Sequence, residues 1–115
     1  MSTFANAVIL QEQPSNLVDY RVQLRRELNR RRYANPYYSL RAFARDLKIA
    51  PSRLSEIFNH KQGLSRKAAL KITDLLGIIG ETREYFLDSV TAQHARSKTD
   101  RNSAMLRLDR YNIAI

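Results

Sequence analysis

Between Ser39 and Lys61 the apolar residues fall into two short stripes separated by a break. Leu40, Phe43, Ala44 and Leu47 stand at i, i+3, i+4 and i+7, one face of a helix. Ser39 precedes them as an N-cap, its hydroxyl placed to accept from an otherwise unpaired amide of the first turn. The stripe breaks at Lys48-Ile49-Ala50, and Pro51 opens a second segment. Proline suits the first position of a helix, where its missing N–H would have gone unpaired anyway. Leu54, Ile57 and Phe58 give this second helix its inner face, leaving Ser52, Arg53, Ser55, Glu56 and Asn59 outward. Two short helices joined by a tight turn form a helix-turn-helix. A small, polar and charged outer surface is what a DNA major groove can admit.

The same periodicity runs on either side. Asn16 is placed to cap a helix from Leu17, with Asp19 in the favourable first turn. Leu17, Tyr20, Leu24 and Leu28 supply its inner face, and Arg21, Arg25, Arg26, Arg30, Arg31 and Arg32 cover much of the rest. Asn35-Pro36 ends it, since proline disfavours helical geometry in its predecessor. Tyr33, Tyr37 and Tyr38 are expected to pack this corner, with a hydroxyl or two reaching phosphate; a stacking platform for single-stranded bases is the weaker alternative. After Gln62-Gly63, Ser65 caps a third segment whose inner face is Ala68, Ala69, Ile72, Leu75 and Leu76, and Gly77 ends it in the left-handed conformation. Gly80 precedes a further helix, with Glu81 and Glu84 complementing its dipole and Tyr85, Phe86, Leu87 and Val90 making contacts.

The ends are less regular. Phe4, Val8, Ile9 and Leu10 make residues 1–15 an apolar extension that covers either the core or a partner chain. Beyond Arg96, SKTDRNS has the composition of a linker, and the end is apolar again. Ala104, Leu108 and Tyr111 fit a helical stripe, whereas Leu106/Leu108 and Tyr111/Ile113/Ile115 alternate as a strand would; both remain open. The expected layout is a domain over 16–96 with a C-terminal extension over 97–115. Either the Phe4-to-Leu10 patch or the Ala104-to-Ile115 tail is expected to make a homodimer.

Composition narrows the class. At 115 residues with Gly and Pro scarce, one all-α domain with a modest core is expected. There is no cysteine, so disulfides and thiolate metal sites are excluded. No apolar run approaches the roughly 20 residues that span a bilayer, and no signal peptide is apparent, so the default is a soluble cytoplasmic protein without membrane contact. The net charge of +9 is unevenly spread. Residues 1–33 carry six arginines against Glu12, Asp19 and Glu27 (+3), residues 34–66 carry +4, residues 67–93 carry −1 and residues 94–115 carry +3. The charge therefore coincides with the first helix and the helix-turn-helix, which points to a polyanionic partner.

The pattern S-L-x-x-F-A-x-x-L-x-I-x-x-S-x-L-S-x-I-x-N-x-K, followed by S-x-x-x-A-x-K-I-x-x-x-L-G-I, resembles the phage-repressor (Cro/XRE-type) helix-turn-helix family over Ser39 to about Ile78. More closely, D-Y-R-x-x-L through N-P-x-Y-S-L-R-A-F-A to E-Y-F is similar to the start of a family of uncharacterised bacterial proteins. Those place such a module before a larger C-terminal domain, which is expected to be absent from a chain ending at Ile115. The resemblance implies a compact bundle of about five helices that binds double-stranded DNA, usually as a dimer, with the second motif helix in the major groove.

Carried over position by position, the resemblance puts base contacts on Pro51, Ser52 and Glu56, with Arg53 beside them. Arg53 has the donors for guanine, Glu56 can accept from cytosine N4 or pair with Arg53 instead, and Pro51 offers only apolar contact. Lys48 stands where a glycine is common, and a left-handed Lys there costs about 1–2 kcal/mol. Phosphate contacts are expected from Ser39, Arg41, Ser55, Asn59, Lys61 and Arg66, and from Arg30, Arg31 and Arg32 on the first helix.

Catalysis is not expected. His60 and His94 are the only histidines, nothing resembles metal-ligand spacing, and Gly63, Gly77 and Gly80 are isolated rather than a phosphate loop. No cofactor is expected either. The rival to DNA binding is a protein-interaction module working through the apolar termini, followed by RNA or single-strand binding through the tyrosines and arginines.

Overall fold

Six helices follow one another in the computed structural model, which describes the backbone of residues 19–114 and side chains as far as residue 111. They are α1 (Tyr20–Ala34), α2 (Leu40–Leu47), α3 (Pro51–Phe58), α4 (Arg66–Leu76), α5 (Gly80–His94) and α6 (Lys98–Ala114), with no strand among the described residues. The all-helical reading therefore holds. The Phe4-to-Leu10 patch and the Asn16–Leu17 start lie outside the described residues.

Local chemistry sets the helix ends. Ser39 accepts from the Ala42 amide at 3.0 Å and Ser65 from the Ala68 amide at 3.1 Å, each satisfying one orphan donor of its helix. Lys48 ends α2 in the left-handed region (φ 60°, ψ 41°), and the Ile49 amide reaches back to the Ala44 carbonyl at 3.0 Å. Gly77 does the same for α4 at φ 70° without a Cβ penalty. Pro51 is the first residue of α3.

Two expectations are corrected at the ends. Asp19 is the N-cap of α1, not a residue of its first turn: its backbone is extended, and its Oδ1 accepts from the Arg21 amide at 2.8 Å. SKTDRNS is not a linker but the start of α6. The Ser97 hydroxyl accepts from the Asp100 amide at 3.2 Å, and the Arg101 guanidinium ties the preceding turn by donating to the Ala95 and Arg96 carbonyls at 2.7 and 2.9 Å. Of the two open patterns for the tail, the helical one is realised, because Ala104 and Leu108 bury themselves along α5. Arg107 fastens the pair through the buried Asp88 carboxylate at 2.9 Å.

The core joins Tyr20, Leu24 and Leu28 of α1 to Phe43, Ala44 and Leu47 of α2, Leu54 and Ile57 of α3, Ala69 and Ile72 of α4, and Phe86, Leu87 and Val90 of α5. These are the stripes expected from periodicity. Leu75 is the exception: it stands 41% exposed. Burying Leu54 and Ile57 fixes the rotation of α3, and so decides which of its residues face solvent.

Candidate nucleic-acid interface

With Leu54 and Ile57 inward, α3 leaves Pro51 and Ser52 exposed and Arg53, Ser55 and Glu56 half-buried, with Asn59 exposed just beyond its end. Arg53 has no carboxylate partner among the described residues, so its guanidinium remains available. Glu56 pairs with Gln62, whose side-chain amide donates to its carboxylate, and not with Arg53. Lys48 and Lys71 line the same cleft as Arg53. The one acid lining that cleft, Asp74, is bridged to Arg83 at 3.1 Å. The surroundings of the α3 N-terminus are therefore cationic.

The candidate phosphate contacts divide into two groups. Arg41, Asn59 and Lys61 are exposed without a side-chain partner among the described residues. Arg66 is exposed too, with one nitrogen donating to the Thr91 hydroxyl at 3.2 Å, and the Ser39 hydroxyl is occupied as a cap. The α1 arginines are more committed than their run in the sequence suggests. Arg31 donates to Glu27 at 2.8 Å, to Asp46 at 3.0 Å and to the Tyr38 hydroxyl at 3.0 Å, lying over the Phe43 ring as well. It is a strut between α1 and α2, its guanidinium already engaged by Glu27, Asp46 and Tyr38. Arg30 is paired with Glu27 at 2.7 Å but stays on the surface, and Arg32 donates to the Tyr38 carbonyl at 3.2 Å. Hydrogen bonds from Arg30 and Arg31 hold the Glu27 carboxyl below its ordinary range, and the Tyr38 hydroxyl does the same for Asp46.

Behind α3 sits a polar cluster assembled from α1, α5 and the segment after α3. The Arg21 side chain is buried and makes three hydrogen bonds: Nε to the Ile57 carbonyl at 2.7 Å, Nη2 to the Gln62 carbonyl at 3.1 Å, and Nη1 to Gln93 Oε1 at 2.8 Å. Beside it, the fully buried Tyr20 hydroxyl lies 2.9 Å from His94 Nε2, and the Tyr20 amide donates to the Ser89 hydroxyl at 2.8 Å. The His94 ring packs directly over Gly63, where a Cβ would come within 2.5 Å of the imidazole. Together these groups fasten the segment after α3, which carries Asn59 and Lys61, to α1 and α5.

Burial first, and then the neighbouring Arg21 charge, hold the His94 imidazole below its ordinary value, while burial pushes the Tyr20 phenol up to about 12. The fold therefore favours neutral His94, whose Nε2 shares a hydrogen bond with the Tyr20 hydroxyl. A group whose folded pKa is depressed contributes stability that is complete above its unfolded value of about 6.5 and is lost as pH falls through the folded value. Melting temperature is thus expected to decline below about pH 6.5, before the depressed carboxylates Glu27 and Asp46 titrate. His94→Gln, which cannot titrate there, is expected to flatten that decline in a thermal-melt series across pH.

Among the described residues no group of three or more His, Cys, Asp or Glu side chains is arranged to hold a metal, and no helix is long and apolar enough to cross a membrane. Compared with models of known protein families, with curated proteins and with solved structures, the chain matches none.

Proposed function

We propose that the chain binds double-stranded DNA sequence-specifically, inserting α3 into the major groove, and acts as a bacterial transcriptional regulator. The observation that carries this reading is the pairing of a solvent-facing polar surface on α3 with unpartnered cations around it. In a helix-turn-helix the first helix crosses the DNA backbone and the second reads base edges. Here those are α2 and α3. Arg53 reads guanine, Glu56 and Ser52 contribute further polar contacts, and Pro51 meets an apolar edge such as a thymine methyl. Arg41, Asn59, Lys61 and Arg66 hold phosphates on either side, with Ser39, Ser55, Arg30 and Arg32 contributing at the margins.

One eight-residue helix offers little groove contact. Two copies on half-sites about one helical turn apart are the natural route to affinity. Ala104 and Leu108 are taken up by α5, so among the described side chains of α6 the large apolar ones exposed for such pairing are Met105 and Leu106. The test is selection of bound sequences from a random duplex pool. The expected result is an enriched motif with two-fold symmetry and half-sites about 10 base pairs apart. Recovery of the pool unchanged would overturn the reading. It would shift attention to a protein partner at the exposed apolar side chains of Ile79, Met105 and Leu106.

A further inference from the structure

Tyr33 and Tyr37 are 93% and 94% exposed, whereas their neighbour Tyr38 packs its ring against Phe43 and donates its hydroxyl to Asp46. The expectation that all three fill the corner therefore fails for two of them. Neither the Tyr33 nor the Tyr37 side chain has a partner among the described residues, so neither contributes to the fold. Yet the corner that displays them is firmly built. The Asn35 side chain accepts from the Tyr37 amide at 3.1 Å, the Asn35 carbonyl accepts from the Tyr38 amide at 2.9 Å, and Arg32 clamps the Tyr38 carbonyl.

The stretch that contains the corner is strongly positive. Between residues 25 and 46 seven arginines face only Glu27 and Asp46, a balance of +5. Both of those carboxylates are already bound by arginines of the same stretch. What remains on the surface is two phenols among unneutralised guanidiniums, a combination complementary to phosphate. Its position identifies which phosphates. Tyr37 lies two residues before Ser39, the cap of α2, and α2 is the helix that crosses the backbone in this docking mode.

We propose that Tyr33 and Tyr37, with Arg32 and Arg41, grip the phosphates of the same duplex outside the half-site read by α3. This rests on the DNA-binding reading above and extends its footprint to flanking sequence. The phenol hydroxyls donate to phosphate oxygens; the contact carries no base preference and adds affinity wherever the duplex continues past the motif.

The experiment compares two duplexes, one trimmed to the selected motif and one extended on both flanks, for the wild type and for the Tyr33→Phe/Tyr37→Phe double variant. Both positions are exposed, so folding is unaffected. The wild type is expected to bind the extended duplex about tenfold tighter than the trimmed one, and the variant, which keeps Arg32 and Arg41, to lose part of that advantage, falling to about threefold. An undiminished advantage in the variant would overturn this inference and leave the α3 reading standing. A Tyr33→Ala/Tyr37→Ala variant that loses single-stranded oligonucleotide binding more than duplex binding would replace phosphate contact by base stacking and overturn it too. Failure of the wild type on both duplexes would bring down the α3 reading itself.

Discussion

Replacing Arg53 by alanine is expected to raise the Kd for the selected duplex by about 5- to 150-fold, the ~1–3 kcal/mol that a bidentate base contact contributes. The loss is expected to concentrate at one base pair, so that the variant tolerates substitutions there that the wild type rejects. Two features make this a clean substitution. Arg53 is engaged in no ion pair among the described residues, so its removal leaves no buried charge behind, and the inward face of α3 is carried by Leu54 and Ile57. Lys61→Ala provides the contrast: removing a phosphate-binding cation is expected to weaken all duplexes alike and to reduce the salt dependence. Competition binding with single-base variants of the site separates the two behaviours. Equal weakening on every sequence by Arg53→Ala would remove that residue from the base-reading set.

The largest effect on stability is expected at Arg21. The residue is 7% exposed, and its guanidinium satisfies the Ile57 and Gln62 carbonyls and the Gln93 amide oxygen at once. Methionine at this position keeps most of the aliphatic bulk but leaves three acceptors without their donor. Leaving one buried acceptor unsatisfied costs about 1–3 kcal/mol, so Arg21→Met is expected to lose about 3 kcal/mol in urea denaturation. That is a large share of the roughly 5–15 kcal/mol a domain possesses. Lysine is not expected to rescue it, because a single ammonium lacks the fork that reaches three acceptors together. Since two of the acceptors flank Asn59 and Lys61, amide exchange in the segment following α3 is expected to quicken as well. A variant as stable as the wild type would show that these hydrogen bonds contribute nothing net.

Much of the scaffold is legible in the sequence because it rests on local rules. The α2 stripe, the Ser39 and Ser65 caps and Pro51 at the head of α3 each follow from a few neighbouring residues, while the left-handed Lys48 follows from the resemblance, in which that position is commonly glycine. What periodicity leaves open is settled by groups distant in sequence. The tail can alternate or coil, and α5 decides, by accepting Ala104 and Leu108. Arg21 belongs to a charge run with the composition of a solvated face, yet it stands three and seven residues before Leu24 and Leu28. That spacing on the buried stripe is the signal that sets it apart. Arg31 belongs to the same charge run, and its pairing with Asp46 on the next helix is a contact between residues too far apart in sequence for periodicity to show. The apolarity of Tyr33 and Tyr37 points to packing, whereas only Tyr38 has a neighbour to pack against. His94 leaves no trace in the local pattern, since its partners Tyr20 and Gly63 lie far away along the chain.

The most direct measurement of the central claim is the salt dependence of duplex binding, followed by fluorescence anisotropy on the wild-type chain. Gripping phosphates with Arg41, Lys61, Arg66 and their neighbours releases counterions, about 0.9 per phosphate neutralised. Neutralising three or more phosphates gives a log–log slope of about −3 or steeper between low and physiological salt. A slope near zero, or no binding even at low salt, would contradict a polyanion-binding face and with it the account of α3 as a reader of DNA.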